Sequence, residues 1–183
     1  MLQFDWFEED PEDDLSTAQR AFLAALRERA RSWPCTPNYT QLVEPGDGRE
    51  AWGAILDVGT QAEKSTLITV GVFFDDTSIR ASEVHNQSFA PTSDDQSRVE
   101  ILEAAGDPQH LAQAAADWFE NLLVRPLERR EWLRNGHVFR EYAFSDTGTP
   151  LVGRSAWHPP SIFGTPPDRV IQIRGTHPRS QSK

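Results

Sequence analysis

The chain has 183 residues, of which 38% are hydrophobic, and its 28 acidic and 18 basic residues give a formal net charge of −10. This length is typical of one domain that buries its own core, and the acidic balance disfavours a nucleic-acid-binding protein. The single cysteine, Cys35, excludes an intramolecular disulfide and a cysteine-based zinc cage.

The N-terminus has neither the basic region nor the apolar core of a signal peptide. No apolar run approaches the ~18 residues that a membrane-spanning helix requires. We therefore expect a cytoplasmic protein without a membrane partner. Arginine supplies all of the basic residues except Lys64 and Lys183, a bias that is typical of GC-rich bacterial genomes.

The two ends of the chain carry opposite charges. Residues 1–14 contain seven acidic residues and no basic one, with large apolar side chains among them. All charged residues after Asp168 are basic. We predict an acidic N-terminal segment over residues 1–14, a single domain over residues 15–175 and a flexible basic tail over residues 176–183.

Two segments carry the signals of amphipathic helices. A capping-box pattern at Ser16–Gln19 begins the first predicted helix, which ends at Ser32. Asp107 and Pro108 are a favoured N-cap and first residue for the second helix, which ends before Pro126. Each helix has one apolar stripe at helical spacing, and its members are expected to be buried: Phe22, Leu26, Leu111, Phe119 and Leu122.

Alternating and β-branched segments predict about six or seven strands in an antiparallel sheet. Thr66–Phe74 is the most strongly β segment and is predicted to be central, and Asp75-Asp76-Thr77 is the turn that follows it. Apart from the hairpin described next, the other predicted strands are Trp52–Val58, Ser78–His85, Val99–Leu102, Leu151–Ala156 and Arg169–Arg174. With two helices packed on this sheet, the predicted fold class is α+β.

Asn135-Gly136 indicates a β-hairpin with a type I′ turn. Counting back from this turn places Glu131 opposite Arg140 and Arg130 opposite Glu141. Two adjacent pairs of opposite charge, in both orders, support this register because opposite charges across a strand pair stabilise it. A slip of one residue would place every side chain on the wrong face.

Three patterns suggest chemistry but lack its structural context. Gly148–Ser155 has P-loop spacing with arginine in the lysine position, but the prolines after it forbid the helix that a P-loop requires. Glu83 and His85 lack the spacing of metal ligands, so a polar strand face turned to water is favoured. Cys35 is interpreted as a small buried hydrophobe rather than a nucleophile. We expect no catalytic residue, no metal and no cofactor.

Two aromatic segments are the candidates for binding a partner. Residues 1–14 mix acidic and aromatic side chains, which can dock on a basic partner, although packing of the rings on the domain is favoured. The loop 157–168 combines large rings with prolines and could line an interface or a ligand pocket, or cover a sheet edge. The predicted partner-binding residues are Asp5, Trp6, Glu8, Glu9, Asp10, Trp157, His158 and Phe163.

These features favour a non-enzymatic, acidic, immunity-like module that binds and neutralises or regulates a basic protein. The alternative is a small-molecule-binding domain or an enzyme whose pocket lies between the sheet and the loop 157–168. Nucleic-acid binding by the arginines of residues 125–134 is disfavoured because Glu128 and Glu131 lie among them.

Overall fold

The part of the chain that the structure describes folds into two helices and two antiparallel sheets, of five and four strands. The structure, a computed structural model, describes residues 6–8, 15–33, 39–46, 50–60, 65–85, 87–152 and 164–175. The predicted α+β class is confirmed, but the strands divide between two sheets because strands pair with their neighbours in sequence on either side of the second helix. Chain contacts likewise separate two compact units, Met1–Leu123 and Val124–Lys183.

The first unit is a five-stranded meander with a helix before it and a helix after it. The sheet order is β1-β2-β3-β4-β5, so the most strongly β segment is central, as predicted. The short first strand was not predicted, and the predicted strand Val99–Leu102 is wrong in position, since the observed strand begins at Leu102. The elements are α1 (Thr17–Ala30), β1 (Thr40–Val43), β2 (Trp52–Thr60), β3 (Ser65–Phe74), β4 (Ser78–Glu83), β5 (Leu102–Ala105) and α2 (Pro108–Val124).

Both helices begin at the residues that the sequence predicts. The Ser16 hydroxyl accepts from the backbone N–H of Gln19 at 3.1 Å, and the Gln19 side-chain oxygen accepts from the backbone N–H of Ser16 at 2.9 Å, which confirms the capping box. Asp107 accepts from the backbone N–H groups of Gln109 and His110, each at 3.0 Å. These hydrogen bonds lower the pKa of the Asp107 carboxyl, and the bond from His110 has the largest effect.

The apolar stripes of α1 and α2 lie in the core of the first unit. Phe22 packs on Phe74 of β3 with ring centroids 4.4 Å apart, which places α1 on the face of the sheet that Phe74 occupies. The predicted burial is confirmed for Phe22, Leu26, Leu111, Phe119 and Leu122. Burying each of these side chains contributes about 1.5–3 kcal/mol, so the two stripes are a main source of stability.

The opposite face of this sheet also carries an apolar cluster. Its buried members are Val43, Ile55, Phe73 and Val84. Gly53 and Gly71 make room for it, because a Cβ added at Gly53 would lie 2.8 Å from Val43 and one at Gly71 would lie 2.7 Å from Ile55. The sheet is therefore apolar on both faces, which explains why β2 and β3 are near-continuous apolar runs.

The second unit is a four-stranded sheet. Its strands are β6 (Leu127–Arg134), β7 (His137–Phe144), β8 (Pro150–Val152) and β9 (Arg169–Arg174), in the order β8-β7-β6-β9. The predicted hairpin register is confirmed, with Glu131 opposite Arg140 and Arg130 opposite Glu141. Asn135 and Gly136 have φ angles of 51° and 79°, as a type I′ turn requires.

Candidate functional site

Trp6 and Phe7 anchor the acidic N-terminal segment to the first unit. Phe7 is fully buried and Trp6 is only 8% exposed. The backbone N–H of Phe7 donates to the Thr40 hydroxyl of β1 at 3.2 Å. The Nε of Arg27 on α1 donates to the Trp6 and Phe7 carbonyls at 3.0 and 3.1 Å. These bonds satisfy backbone groups that burial would otherwise leave unpaired.

Contacts among four aromatic rings hold Trp6 and Phe7 in place. We call these four residues the aromatic anchor: Trp6, Phe7, Trp33 and Phe119. Phe7 stacks on Phe119 of α2 with centroids 5.6 Å apart, and Trp6 meets Trp33 edge-on at 4.8 Å. Phe7 has a φ of 49°, a left-handed conformation that costs a bulky residue on the order of 1–3 kcal/mol. The ring contacts and backbone bonds must offset this cost, so the conformation of Phe7 is set by its surroundings.

The predicted partner-binding residues fall into three groups. Trp6 packs in the aromatic anchor because burying a large ring outweighs leaving it in water, and its place in a binding site stays a prediction. Glu8, directly after the buried pair, is exposed. The others lie outside the described residues: Asp5, Glu9, Asp10, Trp157, His158 and Phe163.

Two acidic residues of α2 share one arginine of α1. Asp117 and Glu120 lie on either side of the anchor residue Phe119 in sequence, and both pair with Arg29 of α1, at 2.9 and 3.8 Å. One guanidinium therefore serves two carboxylates, and the surface keeps an excess of negative charge. Such exposed pairs contribute only about 0–1 kcal/mol to stability, so the acids are not explained by a folding role.

The two units carry opposite net charges. The first unit holds 23 acidic and 8 basic residues, a formal charge of −15, and the second holds 5 acidic and 10 basic residues, a formal charge of +5. The whole-chain charge of −10 hides this division. The opposite charges of the two ends can be read from the sequence, but their division between two compact units depends on the fold.

A cleft of about 830 Å³ opens beside β4 and β5 in the first unit. Phe73 and Ile79 supply apolar lining, and the Arg80 guanidinium pairs with both Glu103 and Asp94. The remaining charged residues of its lining, Glu50 and Asp75, are acidic. The cleft was not predicted, because the strand predicted at Val99–Leu102 ends before Glu103, which the observed β5 places opposite Arg80.

Asp75 at the edge of this cleft is committed to a turn. Its Oδ1 accepts from the backbone N–H groups of Thr77 and Ser78, each at 2.7 Å, and its Oδ2 accepts from the Ser78 hydroxyl at 2.8 Å. The bond from Thr77 is the main reason that the pKa of Asp75 lies below its usual value. An ionised carboxylate with these partners is suited to forming a turn rather than to transferring a proton.

The expectation that Glu83 faces water is wrong. The Glu83 carboxylate is buried, and Arg98 donates to it from its backbone N–H and its Nε, each at 2.9 Å. The positive charge of Arg98 compensates the negative charge of Glu83, so the carboxylate can be buried on the strand. His85 is exposed, and no group of three or more potential metal ligands occurs in the part of the chain that the structure describes.

The described part of the P-loop-like run supports a turn followed by a strand. Gly148 has a φ of 72°, and β8 begins two residues later, where a P-loop would still be cradling phosphate. Gly153–Ser155 lies outside the described residues, as do Cys35 and the predicted tail over residues 176–183. The absence of nucleotide binding stays a prediction.

Buried glutamates in the second unit are the feature that sequence reasoning missed. Glu128, Glu131 and Glu141 are each no more than 4% exposed. Arg130 pairs with two of them: its Nη2 lies 2.6 Å from Glu128 Oε1, and its Nη1 lies 3.5 Å from Glu141 Oε2. The register prediction contained part of the signal, because it paired Arg130 with Glu141 and Arg140 with Glu131. The depth of burial depends on tertiary packing.

The chain matches no protein-family model, no curated protein and no solved structure. Neither helix in the described ranges is long and apolar enough to cross a membrane. The geometry and charge of the two units are therefore the basis for a functional proposal.

Proposed function

We propose that the protein is a non-enzymatic, cytoplasmic binding module whose acidic first unit neutralises or regulates a basic protein partner. The observation that carries this proposal is the anchoring of Trp6 and Phe7 immediately before the exposed Glu8. The anchor lies in a unit with a formal charge of −15. Acidic residues that adjoin this anchor in sequence, on a unit of strongly negative charge, are what a basic partner would recognise.

Anchoring matters because it limits where the neighbouring charges can be. Consecutive Cα atoms are about 3.8 Å apart, so Asp5, Glu9 and Asp10 each lie within about 8 Å of an anchored residue or of Glu8. Trp6 and Phe7, which are already ordered, lose less conformational entropy on binding than residues of a free tail do. Chain connectivity also keeps each of these acidic residues within about one Debye length, ~10 Å at 0.1 M salt, of Trp6, Phe7 or Glu8.

A concentrated field of this kind acts mainly on the rate of association. Complementary charges steer a partner toward the surface and can speed association about 10-fold or more at low salt. Asp117 and Glu120 would extend the field along α2, since Arg29 neutralises only part of their charge. The proposal therefore makes a kinetic prediction that depends on ionic strength.

Stopped-flow mixing with a lysine-rich amphipathic peptide tests this proposal. We expect a variant with four amides in place of acids to associate about 5–10-fold more slowly at low salt and with a flatter salt dependence. Its melting temperature should stay close to that of the wild type, because the aromatic anchor is unchanged. The substitutions are Asp5→Asn, Glu8→Gln, Glu9→Gln and Asp10→Asn.

A control variant removes the same charge from other exposed acids of the first unit. Its substitutions are Glu28→Gln, Glu44→Gln, Asp95→Asn and Glu100→Gln. Equal slowing of both variants would mean that the total charge matters and not the anchored segment. Association of the first variant at the wild-type rate would show that the segment is not the binding site, and the interface should then be sought at residues 157–163.

The cleft beside β4 favours a second candidate function, the binding of a small molecule. The pocket predicted from the sequence involved the loop 157–168, most of which lies outside the described residues, whereas this cleft lies entirely in the first unit. Its apolar lining and excess of carboxylates would suit a cationic, partly apolar ligand. A panel of aromatic amines should then raise the melting temperature by at least about 2 °C. That shift should disappear in Glu50→Gln/Glu103→Gln if the cleft is the site.

A further inference from the structure

Three arginines surround one buried carboxylate in the second unit. The Glu131 side chain is only 5% exposed, and Arg129 Nε lies 3.0 Å from its Oε1. Arg140 Nε is 3.6 Å from the same oxygen, and Arg169 Nη1 is 3.7 Å from Oε2. We call Arg129, Arg140 and Arg169 the arginine triad. One negative charge serves three positive charges, so the cluster has an excess of two positive charges.

The strand register explains why these side chains meet. Glu131 of β6 is paired with Arg140 of β7 on one side and with Arg169 of β9 on the other. Paired residues share a face of the sheet, and Arg129 shares it too because it lies two residues from Glu131 on the same strand. The triad therefore forms a cationic band across three strands, and the buried Glu131 forms an ion pair with each of its arginines.

The outer two arginines are available to a ligand. The side chains of Arg140 and Arg169 are 54% and 65% exposed, compared with 18% for Arg129. Their distances to Glu131 exceed the roughly 2.7–2.9 Å of a strong charge-assisted hydrogen bond. Each guanidinium has five N–H donors in a fork that matches a carboxylate, so both can bind an anion without losing a short bond to Glu131.

An exposed apolar pair lies next to the cationic band. Leu133 of β6 and Val138 of β7 are paired across the hairpin, and each is 49% exposed. Both lie two residues from the row of Glu131 and Arg140, which puts them on the same face about 7 Å away. Two large apolar side chains beside two exposed arginines make a surface with two distinct chemistries at a fixed spacing.

We propose that this face of β6, β7 and β9 binds an extended acidic segment of another protein. An extended chain places alternate side chains on one side about 7 Å apart, which matches the spacing of the two rows. The segment would carry an acidic residue for Arg140 and Arg169 and, two positions away, an apolar residue for Leu133 and Val138. This site is independent of the proposed function of the first unit and selects a ligand of opposite charge.

A polypeptide ligand fits this face better than a nucleic acid does. Proteins that bind single-stranded nucleic acids stack bases on exposed aromatic rings. The aromatic residues on the described part of this face, Tyr142 and Phe144, are buried. The whole-chain charge of −10 also opposes any polyanion, so binding of an acidic ligand would have to come from a local site rather than from general attraction.

Fluorescence anisotropy with the full-length protein and labelled peptides tests the proposal. The probe repeats the pattern Glu-Thr-Leu-Thr, which places glutamate and leucine two positions apart. We expect it to bind more tightly than a peptide of the same composition with glutamate and leucine adjacent, and at least 10-fold more tightly than an analogue with glutamine in place of glutamate. Raising the salt concentration should weaken binding of the probe and not that of the glutamine analogue.

Variants of the protein locate the binding site. Arg140→Gln/Arg169→Gln should weaken binding of the probe at least 10-fold, and Leu133→Ser should weaken it about 3–5-fold. Arg134→Gln is the matched control, because Arg134 is also on β6 but lies on the opposite face, where it pairs with Asp168 at 2.6 Å. Binding by this control should stay within twofold of the wild type.

Several results would overturn the proposal. Equal affinity of wild-type protein for the glutamate and glutamine peptides would do so, and this comparison stands even if the double variant folds poorly. A single-stranded oligonucleotide of equal length that competes as well as the probe would assign the face to nucleic acid instead. Displacement of the probe by inorganic phosphate at the same concentration would mean a general anion site, without recognition of an acidic segment.

Discussion

The two units bury their residues in different ways. In the first unit, α1, α2 and the central strands bury aliphatic and aromatic side chains, and the aromatic anchor is held by ring contacts and backbone hydrogen bonds. In the second unit, the sheet buries Glu128, Glu131 and Glu141 beside partly exposed arginines, as well as apolar side chains such as Trp132 and Phe144. The stability of the first unit depends mainly on apolar area, whereas that of the second depends also on complete ion pairs, because a buried charge without its partner is costly.

The two units also differ in which charged side chains they expose to a partner. The first unit exposes Glu8 and Asp117, which belong to the surface proposed to meet a basic partner, although it buries Glu83. The second unit buries its three glutamates and leaves Arg140 and Arg169 exposed, so this face is cationic even though acidic residues lie among the basic ones along the strands. Counting charges along a sequence therefore does not predict the sign of a surface, since burial decides which charges a partner meets.

The largest expected effect is the loss of an apolar contact in the first unit. Phe119→Ala removes a fully buried ring that stacks on Phe7, and it should lower the free energy of unfolding by about 3–5 kcal/mol. Urea unfolding measures this change. Val170→Ala in the second unit is the control, because Val170 is exposed, and it should change stability by less than ~0.5 kcal/mol. A loss under ~1 kcal/mol for Phe119→Ala would show that the anchor does not stabilise the first unit.

An intermediate effect is expected from removing a buried charge in the second unit. Glu131→Gln leaves the arginine triad without its carboxylate, and it should lower the free energy of unfolding by about 1–3 kcal/mol. Glu28→Gln is the comparison, since Glu28 of α1 forms an exposed pair with Arg31, the residue that follows the helix. This substitution should cost less than about 0.5 kcal/mol. Equal costs for the two changes, measured by chemical denaturation, would contradict a special role of buried ion pairs in this unit.

The smallest expected effect is a pH dependence in the turn after β3. Because the folded-state pKa of Asp75 is lowered, its contribution to stability is complete above its unfolded pKa and is lost as the pH falls through its folded pKa. Asp75→Asn should therefore cost at most about 1 kcal/mol near pH 6, since Asp75 is exposed. The difference between wild type and variant should shrink as the pH falls below about 4. If the stability difference grew on acidification instead, the pKa of Asp75 would not be lowered by folding.

Local signals predicted the elements whose determinants lie close together in sequence. The Ser16 capping box, the Asp107 N-cap and the Asn135-Gly136 turn each fixed a boundary or a register that the structure confirms. These features depend on hydrogen bonds and φ angles within a few residues. The sequence pattern could therefore be interpreted without knowledge of the tertiary structure.

The features that were missed depend on contacts between distant residues. β1 has only four residues and no periodicity to reveal it, and its place is set by pairing with β2. The burial of Glu83 depends on Arg98, which lies on a loop 15 residues further along the chain. The arginine triad requires β9 to pair with β6, and a pairing across that separation could not be deduced from either strand alone. The division into two sheets has the same origin.

One measurement tests most directly whether the two units present separate surfaces for ligands of opposite charge. Backbone amide NMR spectra of the full-length, 20.6 kDa protein would be recorded during titration with the lysine-rich peptide and, separately, with the Glu-Thr-Leu-Thr peptide. We predict that the first peptide shifts the signals of Glu8, Asp117 and Glu120, and that the second shifts those of Leu133, Arg140 and Arg169. Shifts of the same residues by both peptides, or none with the acidic peptide at millimolar concentration, would contradict the account.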